Sequence, residues 1–328
     1  MLKQKNLKRD KYRAVIIGAG RMGAQFDSPE SKKVLTHAHA YYKNPRIELL
    51  GFYDMNKKAA INAAKKWHCH SYFKLDEMFK SAQPDIVSIC TSGDHLPVLM
   101  KIVKYRPRLV ICEKPLTIRS ERVLKILTLY GKLKIPLLIN YSRRFDKSVQ
   151  VFKKEINQEK YGKILCASGI YTKGIIHNGS HLIDLCRYLF GEVLDFKILH
   201  AVTDYKHNDK SVTAFLKFEK CGQFYLMAGN EKKYSIFELD VLLERQRVRF
   251  VNSGSEIITQ EPEKDDLYKD GLGRAIKKKT KLADALLNLI DNAIGYFERG
   301  EALMCDINEA MRTQQICELL LKEWRGKK

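Results

Sequence analysis

The sequence predicts an α/β protein in two parts: residues 1–140 with a parallel sheet covered on both faces, and residues 141–328, α+β, with a mostly antiparallel sheet. Three observations carry this. In the first part, short continuous apolar runs alternate with helical patterns, as strands buried on both faces require. After about residue 145 the strand-like runs are joined by short polar or glycine turns, too short for parallel crossovers. The chain has 328 residues, 45% apolar and 30% charged, the length of about two domains and a globular composition.

Arg13–Ile17 (RAVII) is the first strand and runs into Gly18-Ala19-Gly20-Arg21-Met22-Gly23. Ile47–Tyr53 is the second, with a helix over Lys57–Trp67. Asp85–Cys90 is the third, with a helix from about His95 to Tyr105. Leu109–Cys112 is the fourth, with a helix from about Arg119 to Tyr130, and Leu137–Tyr141 the fifth. Asn44-Pro45, Gln83-Pro84, Arg106-Pro107 and Ile135-Pro136 mark turns. In the second part a helix over about Ser148–Gln158 precedes a strand at Ile164–Tyr171 and a helix over His181–Phe190, closed by Gly191. Strands are expected at Leu194–Val202, Ser211–Phe218, Gln223–Met227, Tyr234–Leu243, Arg247–Val251 and Glu256–Thr259. Glu261–Lys281 is charged and expected as an exposed loop. Helices over about Leu282–Glu298 and Ile307–Trp324 complete the pattern.

Composition excludes several classes. Net charge is +21, but the lysines are scattered, only Lys277–Lys281 is dense, and no nucleic-acid motif accompanies them. A solvated surface is expected, with no specific nucleic-acid partner. No apolar run approaches the roughly 18 residues that span a bilayer, so no membrane partner is expected. The basic stretch Met1–Arg13 is followed by only Ala14–Ile17 before the glycines, too short for a signal-peptide core. The eight cysteines form no Cys-x-x-Cys pair, and free thiols in the cytoplasm are expected. Trp67-His68-Cys69-His70 has no second ligand cluster at usable spacing, so no metal site is expected.

The glycine cluster fits G-x-G-x-x-G between a strand and a helical stretch. Its glycines permit a tight turn, close approach of a pyrophosphate and close packing, and N–H donors at the helix start face the phosphates. Asp54, at the end of the second strand, can accept ribose hydroxyls. It lies 31 residues after Gly23, against about 20 in the usual fingerprint. The excess falls in Phe26–Leu35, an inserted loop or a lengthened helix start. His37 and His39 follow, two apart and so diverging on a helix, with at most one of them functional. Glu113-Lys114-Pro115 and Thr91-Ser92-Gly93-Asp94-His95 follow strands at the sheet edge where open parallel sheets bind ligands.

These residues resemble the glucose–fructose oxidoreductase/inositol dehydrogenase family, Gfo/Idh/MocA. The resemblance rests on the GAGRMG turn, Asp54, Thr91–His95, Glu113-Lys114-Pro115, Asn140-Tyr141-Ser142-Arg143-Arg144-Phe145 and the block His177–Gly191 (HNGSHLIDLCRYLFG). It implies a Rossmann domain followed by an α+β domain with a large open sheet. It implies NAD, with NADP as the alternative, and a sugar, cyclitol or sugar-nucleotide substrate. It also implies a homodimer or homotetramer formed through the open sheet face. Gly18, Gly20, Arg21, Met22, Gly23, Asp54, Thr91, His95, Glu113 and Lys114 are the implied cofactor contacts. Lys114 matches the lysine that contacts the reacting hydroxyl, often followed by a cis proline bond, and His181 the acid/base histidine. His177, Asp184 and Arg144 are implied substrate contacts. Many members carry aspartate where this chain has His177, which argues against a simple inositol or glucose dehydrogenase and suits an acceptor or anionic substrate group. The expected activity is hydride transfer between nicotinamide and a secondary alcohol or ketone, with Lys114 and His181 meeting at a cleft above the nicotinamide. The alternatives are a lyase or hydrolase using NAD transiently and a non-catalytic dinucleotide-binding regulator.

Overall fold

The computed structural model describes residues 11–117 and 122–326; the basic segment ahead of them and the helix start expected at Arg119 lie outside that range. β1 (Tyr12–Ile17), β2 (Ile47–Tyr53), β3 (His70–Tyr72), β4 (Ile86–Ile89), β5 (Leu109–Cys112) and β6 (Leu137–Ile139) form a parallel sheet in the order β3-β2-β1-β4-β5-β6. Every residue of β4, β5 and β6 is buried, because helices cover both faces. Strand order reverses between β1 and β4, and the crevice beyond the carboxyl ends at such a switch is where this architecture binds ligands. Gly18, Asp54, Thr91, Glu113 and Asn140 all stand just past strand ends at that edge.

The helices of this sheet are α1 (His37–Lys43), α2 (Lys57–Lys66), α3 (Leu75–Ala82), α4 (Leu96–Ile102) and α5 (Val123–Leu133). α1, α3 and the three-residue β3 escaped the sequence pattern, being too short to set up a period. The helix expected after the glycine turn is only a π-turn, Arg21–Gln25. Its end is capped where Lys66 Nζ and Trp67 Nε1 both donate to the Ala24 carbonyl at 3.1 Å. Residues 26–36 then form a loop pinned by buried Asp27, which accepts from Leu35 N–H (2.5 Å), Thr36 N–H (3.1 Å), Thr36 Oγ1 (2.5 Å) and His39 Nδ1 (2.9 Å).

The second sheet is built from β7 (Ile164–Tyr171), β8 (Val193–Lys206), β9 (Asp209–Phe218), β10 (Phe224–Ala228), β11 (Phe237–Leu243), β12 (Arg247–Val251) and β13 (Glu256–Gln260). The expectation of one loop over 261–281 is corrected. β14 (Pro262–Glu263) and β15 (Gly271–Leu272) pair as a small ribbon, and β16 (Ile276–Lys279) is an eighth, edge strand on β13. Its lysine-rich sequence hides it from a hydrophobicity reading, and charge is what an exposed edge favours. The order is β16-β13-β12-β11-β7-β10-β9-β8, with β7–β10 parallel and the other pairings antiparallel.

Register sorts the faces of this sheet. Leu216, Phe224, Ala167, Val241 and Val248 face one another across five strands, all buried under Phe152 of α6 (Lys147–Asn157), Leu182 and Leu189 of α7 (Ser180–Phe190) and Leu320 of α9 (Ile307–Gly326). One residue along, the row reads Phe215, Tyr225, Ser168, Asp240, Arg249. That row lies on the opposite face, mixed in polarity, with Tyr225 45% exposed.

Contacts divide the chain into two compact units. One runs to Asn140 and takes back Leu286–Ile307; the other is Tyr141–Ala285 with Asn308 onward. The sequence reading had carried 286–307 with the second part. They join the first because α8 (Ala285–Arg299) buries Leu286, Leu289, Ile290, Ala293 and Ile294 at helical spacing, and Phe297 stacks on Tyr12 at 4.9 Å. Ile139 N–H then donates to the Cys305 carbonyl at 2.8 Å.

Candidate active site

In the first unit the glycine turn explains two of its three glycines from within. Gly18 has φ +104°, and a Cβ there would lie 2.6–2.7 Å from backbone atoms of Cys90 and Thr91. A Cβ on Gly23 would lie 2.0 Å from the Gly18 carbonyl oxygen. Gly20 differs. Its backbone is extended (φ −79°, ψ −160°), and a Cβ there meets nothing within 4 Å among the described residues. Nothing among the described residues requires glycine at that point. Thr91, packed against Gly18, has a buried Oγ1 with no hydrogen-bond partner among the described residues. Asp54 closes the turn, with Oδ2 accepting from Ala19 N–H at 2.7 Å and Oδ1 from Asn56 N–H at 2.8 Å. Arg21 and Met22 stand on the same turn, Arg21 exposed and its guanidinium 5.9 Å from the Phe26 ring. Open space over a glycine turn, an orphaned hydroxyl and a carboxylate after the second strand fit a dinucleotide's pyrophosphate and ribose.

Glu113 is buried, its Oε1 accepting from His37 Nε2 at 2.9 Å and Asn140 Nδ2 at 2.7 Å. Burial by itself would raise this carboxyl; the His37 and Asn140 bonds and the charge of Lys114 outweigh it and hold it below the ordinary value. The Lys114–Pro115 peptide is cis. His95, expected as a cofactor contact, has its Nδ1 2.6 Å from the Pro115 carbonyl oxygen and its Nε2 2.9 Å from that of Thr91. With both ring nitrogens occupied and the residue 2% exposed, it ties the two turns together.

In the second unit, His181 and Tyr188 are the two residues of α7 that are not buried. His181, in its first turn, stands edge-on to Tyr141 at 5.6 Å. His177 lies in a π-turn, Gly174–Gly179, held by Asp209, whose carboxylate accepts from the N–H groups of Ile176 (2.8 Å) and His177 (3.0 Å). The His177 ring packs against Tyr205 at 4.9 Å, with Lys206 Nζ 5.3 Å from the same ring. Asp184 and Arg144, expected as substrate contacts, face each other in the second unit. They form a bidentate pair, both bonds 2.8 Å, and are 1% and 2% exposed. Thr313 Oγ1 and Glu309 complete the network at 3.0 Å each. A buried ion pair persists only when its remaining lone pairs and protons are met, and this one spends itself on the fold. Sequence reasoning missed Ser88, Tyr205 and Asp209, which take their places through sheet register and carry no local motif.

Residues 12–141 match the model of an oxidoreductase family with an NAD-binding Rossmann fold, Gfo/Idh/MocA. That stretch of the chain is similar to the family. Inositol 2-dehydrogenase of Rhizobium meliloti (strain 1021) is 26% identical over 195 residues, 54% of this chain and 54% of that enzyme. The chain thus matches about half the length of such curated relatives. Among solved structures, UDP-N-acetylglucosamine 3-dehydrogenase GnnA from Acidithiobacillus ferrooxidans superposes with a TM-score of 0.73 at 18% identity, covering 95% of this chain and 97% of that one. The WlbA dehydrogenase of Chromobacterium violaceum, in complex with NADH and UDP-GlcNAcA, gives 0.74 at 18% identity, covering 97% and 95%. At these identities the two structures show a shared fold.

Proposed function

We propose that the protein is an NAD-dependent oxidoreductase that moves a hydride between nicotinamide and a secondary alcohol or ketone of a sugar, cyclitol or sugar nucleotide. The observation that supports this is the glycine turn, where Gly20 meets nothing within 4 Å among the described residues and the orphaned Thr91 hydroxyl belongs to the residue packed against Gly18, in a stretch that matches the model of an NAD-binding family. The inositol and sugar-nucleotide dehydrogenases named above support the substrate class. Gly18–Gly23 and Asp54 would hold the dinucleotide, and Asp54 favours NAD because a carboxylate accepts two ribose hydroxyls and repels a 2′-phosphate. When bound, nicotinamide supplies the hydride acceptor or donor. His181 takes the hydroxyl proton in oxidation and returns it in reduction, a task suited to an imidazole with an ordinary pKa of about 6.5. The Lys114 ammonium stabilises the negative charge that develops on the reacting oxygen. His177, beside Tyr205, meets an acceptor or anionic group of the substrate. Eight free thiols suit the cytoplasm, and the uncovered sheet face suits association of copies of the chain.

The test is a spectrophotometric screen of NAD and NADP, in both directions, against free sugars, cyclitols and nucleotide sugars. Turnover with one of these classes is expected, with tighter binding of NADH than NADPH. Absence of turnover across all three would leave a binding protein and defeat the reading.

A further inference from the structure

The reaction above leaves a buried polar chain in the first unit unused. Tyr41 Oη lies 2.6 Å from Ser88 Oγ, Ser88 Oγ lies 3.0 Å from His37 Nδ1, and His37 Nε2 lies 2.9 Å from Glu113 Oε1. We propose that His37 is a positioning residue: with Asn140 it fixes the Glu113 carboxylate as a buried anion, and that anion holds the neighbouring Lys114 in its ammonium form. The inference rests on the reading of Lys114 as the group that meets the reacting oxygen.

Hydrogen-bond chemistry sets the direction of the chain. An ionised Glu113 can only accept, so His37 Nε2 donates. A neutral ring then accepts at Nδ1 from the Ser88 hydroxyl, and Ser88 accepts from Tyr41. Ser88 and His37 thus each donate once and accept once, between Tyr41 as donor and Glu113 as acceptor. Run the other way, the Tyr41 hydroxyl proton would have no acceptor among the described residues. Tyr41, Ser88 and His37 are all 0% exposed, so the chain ends in the core with no outlet to water. It cannot carry protons away, and what it does is hold Glu113 in one ionisation state and one orientation.

The surrounding groups are consistent with this. Cys90 and Cys112, at the ends of β4 and β5, have thiols pushed well above the ordinary value, first by burial and then by the Glu113 charge. Burial likewise pushes the Tyr41 phenol far up. His95 is spent on backbone carbonyls, and Asp94 faces Arg122 at 3.6 Å. Glu113 is therefore the anion adjacent to Lys114 in the chain, and the Lys114 charge in turn helps to keep it ionised. That coupling is mutual, because a carboxylate stabilised by an ammonium stabilises the ammonium equally.

Two NMR titrations of the whole protein test the proposal without any substrate, so a failed turnover screen would not bear on them. The first follows 13C-labelled glutamate carboxyls, with Glu113 assigned by its loss in Glu113→Gln. In His37→Leu the Glu113 midpoint should rise by about one pH unit or more, while His37→Gln, which keeps a donor toward Glu113 and an acceptor toward Ser88, should restore the wild-type value. If His37→Leu does not fold, Ser88→Ala carries the test. Losing the hydroxyl that fixes the ring's tautomer should raise the same midpoint. The second follows 13C-methylated lysines, with Lys114 assigned by its loss in Lys114→Arg. In Glu113→Gln the Lys114 midpoint should fall by about one pH unit. A Glu113 midpoint unmoved by both His37→Leu and Ser88→Ala, or a Lys114 midpoint unmoved by Glu113→Gln, overturns the proposal.

Discussion

Single residues divide the site's work into separable measurements. His181→Ala should lower turnover by roughly 10²–10⁴-fold, the usual scale for losing a general acid or base, and Lys114→Ala comparably while NADH binding persists. His177→Ala should raise KM more than it lowers kcat, the outcome expected for the proposed substrate contact outside the chemistry. Steady-state kinetics on the substrate found in the screen checks all three, and full activity in both His181→Ala and Lys114→Ala would dismiss the mechanism. At this scale the sequence was legible where chemistry follows a fixed spacing, as in the glycine turn and Glu113-Lys114-Pro115. It was opaque where partners are remote. Asp184 and Arg144 carry the residue types of a polar site, and only packing shows that their charges are spent on each other. The two carbonyl partners of His95 were out of reach for the same reason, because they come from separate turns.

Among the elements, the glycine turn allows a sharp comparison. Gly23→Ala puts a methyl against the Gly18 carbonyl and should lower the melting temperature. Gly20→Ala meets nothing in the protein, so it should leave melting unchanged and weaken NADH binding in a fluorescence titration. Equal effects on both observables in both variants would mean that Gly20 has no ligand. The link between α7 and α9 has a signature in acid. Burial works to raise the Glu309 carboxyl, but Arg144 and Arg187 outweigh it and hold it below the ordinary glutamate value. Its contribution is therefore complete above about pH 4.3 and is lost as pH falls through the lowered value. Melting curves should show a fall in acid that Glu309→Gln flattens. Longer strands and helices were readable from their periods. β3 and β16 were not, since three or four residues establish no period and the lysines of β16 mimic a loop, and the eight residues of α3 make barely two turns.

For the whole molecule, the proposed self-association through the polarity-mixed face of the second sheet is open to a direct test. Tyr225 packs edge-on against Phe215 at 5.5 Å on that face, an aromatic pair of the kind that anchors interfaces. Tyr225→Glu should reduce the mass measured by light scattering to that of a monomer; an unchanged oligomer would move the interface elsewhere. The path of the chain bears on synthesis. Because Leu286–Ile307 belongs to the unit that begins at the N-terminus, a ribosome has to translate past residue 307 before that unit has all its parts. At about 5–20 residues per second the wait after residue 140 is roughly 10–30 s. A fragment ending at residue 140 should therefore be insoluble or rapidly degraded when expressed alone, and the nascent nucleotide-binding sheet is the stretch of this chain with most to gain from a chaperone.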